Sequence, residues 1–442
     1  MRRPTGTATL LSFVGSRDPR NADGADGPLL WLLRARRWRP VQRGRRRGAD
    51  PACKVAAVEA AETDARGRQK EVCDFLLVLR GNAILASMKC QADPSSRGGD
   101  KLRRWTIKNA EKAVNQARGA LKTIAREPFW CQHWRRGRVD FKQGSVRVAH
   151  AVVLTEVFGE AVELPQELPL LLDGVPVTYL SVSDFLKLIE ELRAFPDIAG
   201  YFHARRTLPD GCLRLVGHEA LLYRYYVLNT ESFAGCDGHA HARISRSARD
   251  AEWRSVLDAG QSRHEFASMV ECVSDALAAR LKDFSEGLDA QTIARFDPPD
   301  DRRSYLLMQE ELCDLRLAER SALGRQFVGV MDKVEKNAGA ENMAYGAFWT
   351  DSKPDLVYVL VAARGVERAV LLGRLPVLLR AAMAACGRNR GLAIADRDGA
   401  GFEVLLISGR SGDPNDEELG KAYFAKLRVS HTPSLLRQAR AA

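Results

Sequence analysis

Apolar residues cluster along the chain in runs whose spacing changes from place to place, and each spacing predicts an element. Clear order begins at Glu71. Phe75-Leu76-Leu77-Val78-Leu79 is a continuous apolar run, Arg80-Gly81-Asn82 is a turn signal, and Ala83 to Lys89 is a second run of strand length. Together they predict a β-hairpin. Between Asp100 and Ile124, the residues Ile107, Ala110, Val114, Ala117, Leu121 and Ile124 recur at alternating steps of three and four. That is the spacing of one buried stripe on a long helix. At about 100° per residue, Arg104, Lys108, Lys112, Arg118 and Lys122 fall away from the stripe, with Glu111 the one acid among them.

Ser145 to Val157 predicts the next strand. Pro165 and Pro169 mark a loop, Val175 to Leu180 a short strand, and Val182 to Arg193 an amphipathic helix beginning near Ser183. The chain then reads as mainly helical to about Glu286, with a Gly/His-rich break at Gly235 to His241. Asp297-Pro298-Pro299-Asp300-Asp301 is the strongest linker signal. Beyond it come a helical run (Ser304 to Phe327), a strand (Leu356 to Ala362), a helix (Leu375 to Cys386) and a hairpin joining Gly391–Ala395 to Phe402–Ile407 around Asp398-Gly399. Upstream of the first hairpin, the Ala/Glu-rich stretch Ala52 to Ala65 suits a helix that Gly67 can end. Residues 1–50, with arginines from Arg34 to Arg47 among Gly, Asp and Pro, read as a disordered or loosely helical basic arm. The expected organisation is an arm (1–50), a sheet domain (51–160), a mainly helical region (161–296) and a C-terminal α/β domain (302–442).

Composition narrows the class. The chain has 442 residues, 45% of them hydrophobic, enough for packed cores and too many for a wholly disordered protein. No uninterrupted apolar run approaches the roughly 20 residues that cross a bilayer, so no membrane association is expected. The short apolar stretch Ala8 to Val14 is followed by Ser16-Arg17-Asp18 instead of a small-residue cleavage site, so no signal peptide is read. Nine scattered cysteines, never in a Cys-x-x-Cys pair, suit a reduced, cytoplasmic protein. The 67 Lys+Arg against 56 Asp+Glu give a formal charge of +11, which favours a polyanionic partner.

The hairpin carries the most suggestive chemistry. Asp74 falls near the start of its first strand and Lys89 at the end of its second, and alternation along a strand turns Ser87 and Lys89 to one face. An acid, a hydroxyl and a lysine at one sheet edge, beside a helix with a cationic face, suit phosphodiester hydrolysis: a carboxylate holds a divalent cation and a lysine orients the nucleophile or balances charge. Cys236, His239 and His241 lack a recognisable fourth zinc ligand, and a hairpin turn accounts for Asp396, Asp398 and Glu403 without metal. Trp105 and Trp130 read as packing residues ahead of base-stacking ones. No phosphate-binding Gly-x-x-x-x-Gly-Lys-Ser/Thr loop, Gly-x-Ser-x-Gly elbow or His-Glu-x-x-His pair is present.

The segment Glu71 to Leu79, the Ser87-Met88-Lys89 strand end, and the helix carrying Arg103-Arg104-Trp105 and Val114 to Ala120 resemble the PD-(D/E)XK nuclease superfamily. The resemblance covers roughly residues 66–160. It implies a restriction-endonuclease-like mixed sheet flanked by helices, and a DNA-cutting, Mg²⁺- or Mn²⁺-dependent endonuclease acting in defence or repair. Asp74 would hold the metal, with Lys89, Ser87, Glu71 and Gln91 completing the site. Arg104, Lys108, Lys112, Gln116, Arg118 and Lys122 would contact nucleic acid, DNA ahead of RNA, and the reading leaves room for a homo-oligomer. Ser87 stands where the superfamily has Asp or Glu, and a hydroxyl is a poorer ligand for a hard dication than a carboxylate. Glu71, Asp93, or Glu59 and Glu62 could supply the missing acid. The alternative is a catalytically inactive nucleic-acid-binding or interaction protein that retains the fold.

Overall fold

The computed structural model describes residues 8–12, 58–63, 69–89, 99–133, 137–157, 160–238, 249–283, 299–336, 342–399, 401–409 and 414–424. The chain divides into two compact units. Residues 54–261 make up most of the first, and residues 262–433 most of the second, which also takes the N-terminal strand β1 (Ala8–Ser12).

In the first unit the Ala/Glu-rich stretch expected to be helical is instead strand β2 (Val58–Thr63). Helix propensity is a weak prior, and here it yields to sheet pairing on both sides: β2 runs antiparallel to β3 (Gln69–Leu79) and to β5 (Phe129–His133). The expected hairpin forms. Leu79 lies opposite Asn82 at the start of β4 (Asn82–Lys89), leaving Arg80 and Gly81 alone to make the turn. Both have positive φ, 49° and 73°, as in the two-residue turn that matches strand twist. A Cβ on Gly81 would stand 3.0 Å from the Ser145 carbonyl oxygen, so the turn also requires glycine for space.

Helix α1 (Gly99–Arg126) follows, then β5 and β6 (Gly137–Phe141), then β7 (Arg147–Thr155), which lies parallel to β4. Two short strands, β8 (Val162–Glu163) and β9 (Leu171–Leu172), precede β10 (Val175–Ser181), parallel to β7. The resulting mixed sheet has the order β6-β5-β2-β3-β4-β7-β10-β9. Strand alternation gives it two buried faces. Leu76, Leu85, Val153 and Tyr179 pack with Ala110, Ala113, Ala117 and Leu121 of α1, whose alanines let the helix sit close to the strands. On the other face Phe75, Ile84, Met88, Val152 and Leu180 pack with α2 (Val182–Leu192), α3 (Phe195–Arg205) and α5 (Glu219–Leu228), the short α4 (Asp210–Leu213) lying between the last two in sequence. Helix α2 starts where sequence placed it: Ser181 Oγ accepts from the Asp184 N–H at 3.0 Å, a side-chain N-cap.

The second unit is also layered. Helix α6 (Asp250–Asp283) contributes Val270, Val273 and Leu277 to its core. The single helical run expected from Ser304 to Phe327 is two helices, α7 (Pro299–Cys313) and α8 (Leu317–Lys336). The break has a local cause: Glu319 Oε2 accepts from the Arg316 N–H at 2.9 Å, the reciprocal half of a capping box that starts a new helix. These helices cover one face of a sheet built from β12 (Asn342–Phe348), β13 (Leu356–Arg364), β14 (Arg390–Arg397) and β15 (Phe402–Ser408), in the order β1-β15-β14-β13-β12; the short β11 (Leu215–Val216) pairs with β8 in the first unit. Helix α9 (Arg368–Cys386), with α10 (Pro414–Phe424), covers the other face.

Strands β13 and β14 are parallel and α9 crosses between them; the hairpin around Asp398-Gly399 then reverses into β15. Helix α9 begins at Arg368, earlier than the Leu375 expected from sequence. By length and composition it is the one helix among the described residues long and apolar enough to cross a membrane, yet its Leu371, Leu375, Leu379 and Met383 form core beneath the sheet. Ala8–Ser12, expected in the arm, pairs antiparallel with β15. The arginine cluster from Arg34 to Arg47 lies outside the described residues.

Candidate functional site

Asp74, Ser87 and Lys89 lie on the α1 face of the first sheet, and the structure brings a fourth side chain to them. Phe75 pairs with Ala86, so Asp74 falls beside Ser87 across the hairpin. Asp74 Oδ2 accepts from the Met88 N–H at 2.8 Å and from Gln116 Nε2 of α1 at 3.1 Å. The other end of the same amide, Gln116 Oε1, accepts from Lys89 Nζ. A neutral amide therefore links the carboxylate to the ammonium. Sequence left Gln116 open between nucleic-acid contact and a polar contact at the site; it joins this cluster, because it sits at the edge of the buried stripe where α1 meets the sheet.

One sequence expectation needs correction. Asp74 sits within β3 and not near its start, and it is 1% exposed; Lys89 does end β4 and is half-buried. The reason is the length of β3, which begins at Gln69 under β2, so helix and neighbouring strands close over the acid. Sequence also gave no sign of a further residue. Thr155, at the end of β7, lies opposite Lys89 in the parallel register. Thr155 Oγ1 and Ser87 Oγ are both buried and find no hydrogen-bond partner among the described residues. The strand ending near Thr155 was legible, but its register with β4 was not.

Glu71 lies on β3, and Glu59 and Glu62 on β2, with side chains outside the described residues; Gln91 and Asp93 lie outside them altogether. Among the described residues no group of three His, Cys, Asp or Glu could hold a metal ion. Among the described residues, the donors at the hairpin are one carboxylate, whose Oδ2 already accepts two N–H groups, and neutral hydroxyl and amide oxygens. By themselves these lack the second carboxylate that a hard dication favours.

The basic residues lie on the outer arc of α1, with Lys112 one turn before Gln116. Arg104, Lys108, Lys112 and Lys122 are exposed and Arg118 is half-buried; by helical geometry they span an arc of roughly 120° on the side opposite the buried stripe. Arg118 Nη1 donates to Asn115 Oδ1 at 2.8 Å, and Arg104 Nε reaches the Asp100 carbonyl at 3.4 Å. Trp105 and Trp130 are half-buried.

The opposite face of the sheet holds a buried ion pair that sequence did not single out. Arg205 meets Glu219 in two parallel bonds, Nε to Oε1 at 2.7 Å and Nη2 to Oε2 at 2.9 Å, and Tyr201 donates to Oε1 at 2.6 Å. His150, stacked on Phe202 and bonded to Thr178 Oγ1 at 2.7 Å, has its pKa lowered to about 3, by burial first and then by Arg205, Arg206 and His203. In the second unit, Asp396 pairs with Arg364 at 2.7 Å and Glu403 with Arg368 at 2.9 Å, and Asp398 accepts from the Gly365 N–H at 2.9 Å. These acids serve the turn and its flanking pairs, as expected. Cys236 is buried with Sγ 3.8 Å from the Gly238 carbonyl; His239 and His241 lie outside the described residues.

A scan of protein families finds no matching model, and neither the curated proteins nor the solved structures give a match to the chain.

Proposed function

We propose that the first unit is a nucleic-acid-binding module built on a restriction-endonuclease-like sheet, with the outer face of α1 as its phosphate track and DNA, ahead of RNA, as its partner. The observation that carries this reading is the arrangement of charge about α1. Arg104 to Lys122 covers about 27 Å of helix at 1.5 Å per residue, long enough to follow several successive phosphates. Asp74 is buried beneath the helix and bonds to Gln116, one turn beyond Lys112, so the basic arc borders the cluster while the carboxylate itself is out of a backbone's reach. Burial of the acid and Ser87 in place of a second acid both favour binding over cutting.

Salt dependence tests the track. Every phosphate that the protein ceases to neutralise flattens the plot of log affinity against log salt by about 0.9 for duplex DNA. Neutralising Arg104, Lys108 and Lys112 together should remove up to about 2.7 units of slope and weaken all sequences alike, since groups that touch phosphate do not read bases. An unchanged slope would overturn the proposal.

A second reading, a Mg²⁺- or Mn²⁺-dependent endonuclease, is favoured by Asp74, Ser87 and Lys89 sharing one face, with Gln116 bonded to both Asp74 and Lys89. Plasmid cleavage by the wild-type protein, abolished by EDTA and by Lys89→Ala, would establish it and displace the silent module.

A further inference from the structure

The edges of the two sheets differ in how they are protected. In the first sheet, one edge strand, β6, carries Arg138 and Asp140, and the other, β9, has two residues. Charges and brevity are the usual devices that stop an edge from pairing with another chain. Strand β12 has neither. Its sequence, Asn-Met-Ala-Tyr-Gly-Ala-Phe, holds no charge and no proline, and its register with β13 runs unbroken from Asn342–Arg364 to Phe348–Tyr358. Residues 342–347 are all half-buried, and no described strand lies on the outer side of β12.

We propose that β12 is a homodimerisation edge, pairing antiparallel with β12 of a second copy of this chain about a two-fold axis near Tyr345, so that two five-stranded sheets become one. Three observations select a second copy as the occupant. An uncharged strand meets its own copy without like-charge repulsion and offers nothing for a charged partner to read. Antiparallel self-pairing about Tyr345 sets Met343 against Ala347 and Ala344 against Gly346, a small, apolar seam. Apolar surface also continues beside the strand: Tyr345 packs edge-on against Tyr423 and Phe424 of α10, each with ring centroids 5.6 Å away, and Tyr423 is 45% exposed. With α8 on one face and α10 on the other, the interface is three layers deep and isologous, the commonest form of soluble homodimer.

Sedimentation of the full chain across the micromolar range tests this, with hydrogen exchange on the same samples. The wild type should dimerise, with β12 amides more protected at high concentration than at low. Tyr345→Lys, which sets two lysines face to face at the axis, should raise the dimer dissociation constant at least tenfold while circular dichroism shows the fold retained, with some loss of thermal stability from the ring contacts to Tyr423 and Phe424; Met343→Lys should do the same from a position off the axis. A wild type that stays monomeric throughout overturns the proposal, whether or not its β12 amides are protected, since protection in a monomer means that the chain covers its own edge. A dimer that survives both substitutions in folded protein also overturns it. Should both variants misfold, the concentration dependence of β12 protection in the wild type decides alone.

Discussion

Buried carboxylates are held in two ways in this molecule. In the second unit Glu311 bonds directly to Lys353 at 2.7 Å and to Arg390, and Asp396 and Glu403 each meet an arginine. Beneath α1 in the first unit, Asp74 accepts, among other contacts, from the Met88 amide and Gln116, and Gln116 in turn accepts from the Lys89 ammonium. Direct pairing neutralises an acid and locks it into the scaffold. An intervening amide fixes the carboxylate and the lysine relative to each other without fusing them, and leaves the ammonium half-buried at the end of a central strand. Acid and base near each other in sequence, or even in space, therefore mark a site only when their bonding leaves them separately addressable. Within the first unit, the Arg205–Glu219 pair on the other face of the same sheet is of the direct kind.

The largest effect should come from breaking that direct pair. Arg205→Ala leaves Glu219 buried without its counter-charge, which costs about 3–5 kcal/mol. Urea unfolding followed by first-unit fluorescence should show it, while the second unit's transition stays in place. A loss under about 1 kcal/mol would mean that direct pairs here are no more structural than the Asp74 cluster.

Acid should then separate the two units. His150 has a folded pKa below its ordinary 6.5, so the unfolded state binds the extra proton. Its contribution is complete above pH 6.5 and is lost as pH falls toward the folded value, by about 1.4 kcal/mol per pH unit. Glu311 behaves alike in sign but later. Burial pushes its carboxyl up, and the bonds and charges of Lys353 and Arg390 more than reverse that, holding it below its ordinary 4.5. The second unit should lose this contribution only below that pH. Urea midpoints measured against pH for His150→Gln and Glu311→Gln should each flatten one unit's curve and not the other's; exchanged effects would refute the assignment.

Asp74→Asn keeps the shape of the site but removes the charge that strengthens its hydrogen bonds. Bonds to charged groups contribute about 1.5–3 kcal/mol, so a loss near the lower figure is expected, clearly below that of Arg205→Ala. An equal loss would place Asp74 among the scaffold acids. The smallest change is Ser181→Ala at the start of α2, about 1 kcal/mol for removal of an N-cap. It should be confined to the first unit's transition, and a shift in the second unit's would contradict the assignment of α2 to the first.

Much of the fold was legible because local signals agreed with the tertiary outcome. The Arg80-Gly81 turn, the α1 stripe, the β7 and β13 runs and the Asp398-Gly399 hairpin all follow from spacing and turn chemistry. The failures have two causes, one long-range and one local. Residues 52–65 favour a helix by composition, and only β3 and β5 on either side make Val58–Thr63 a strand. The break between α7 and α8 depends on one Glu319 hydrogen bond inside a pattern that otherwise continues. Of the candidate site, Ser87 and Lys89 could be placed on one face by alternation and Asp74 brought near them by the hairpin, with Gln116 an open candidate, whereas Thr155 could not be found, since it reaches the cluster from a strand far along the chain.

Short-range pattern alone was enough for the mixed α/β character of this protein, its basic helix face and the shared face of the hairpin's polar residues, because periodicity and turn residues act over a few neighbouring positions. Long-range packing alone buries Asp74, lets Gln116 join it to Lys89, brings Arg205 and Glu219 together in the core, and leaves β12 as an edge. Those outcomes depend on which distant segments pack together, and burial, hydrogen-bond partners and sheet order do not exist until they do.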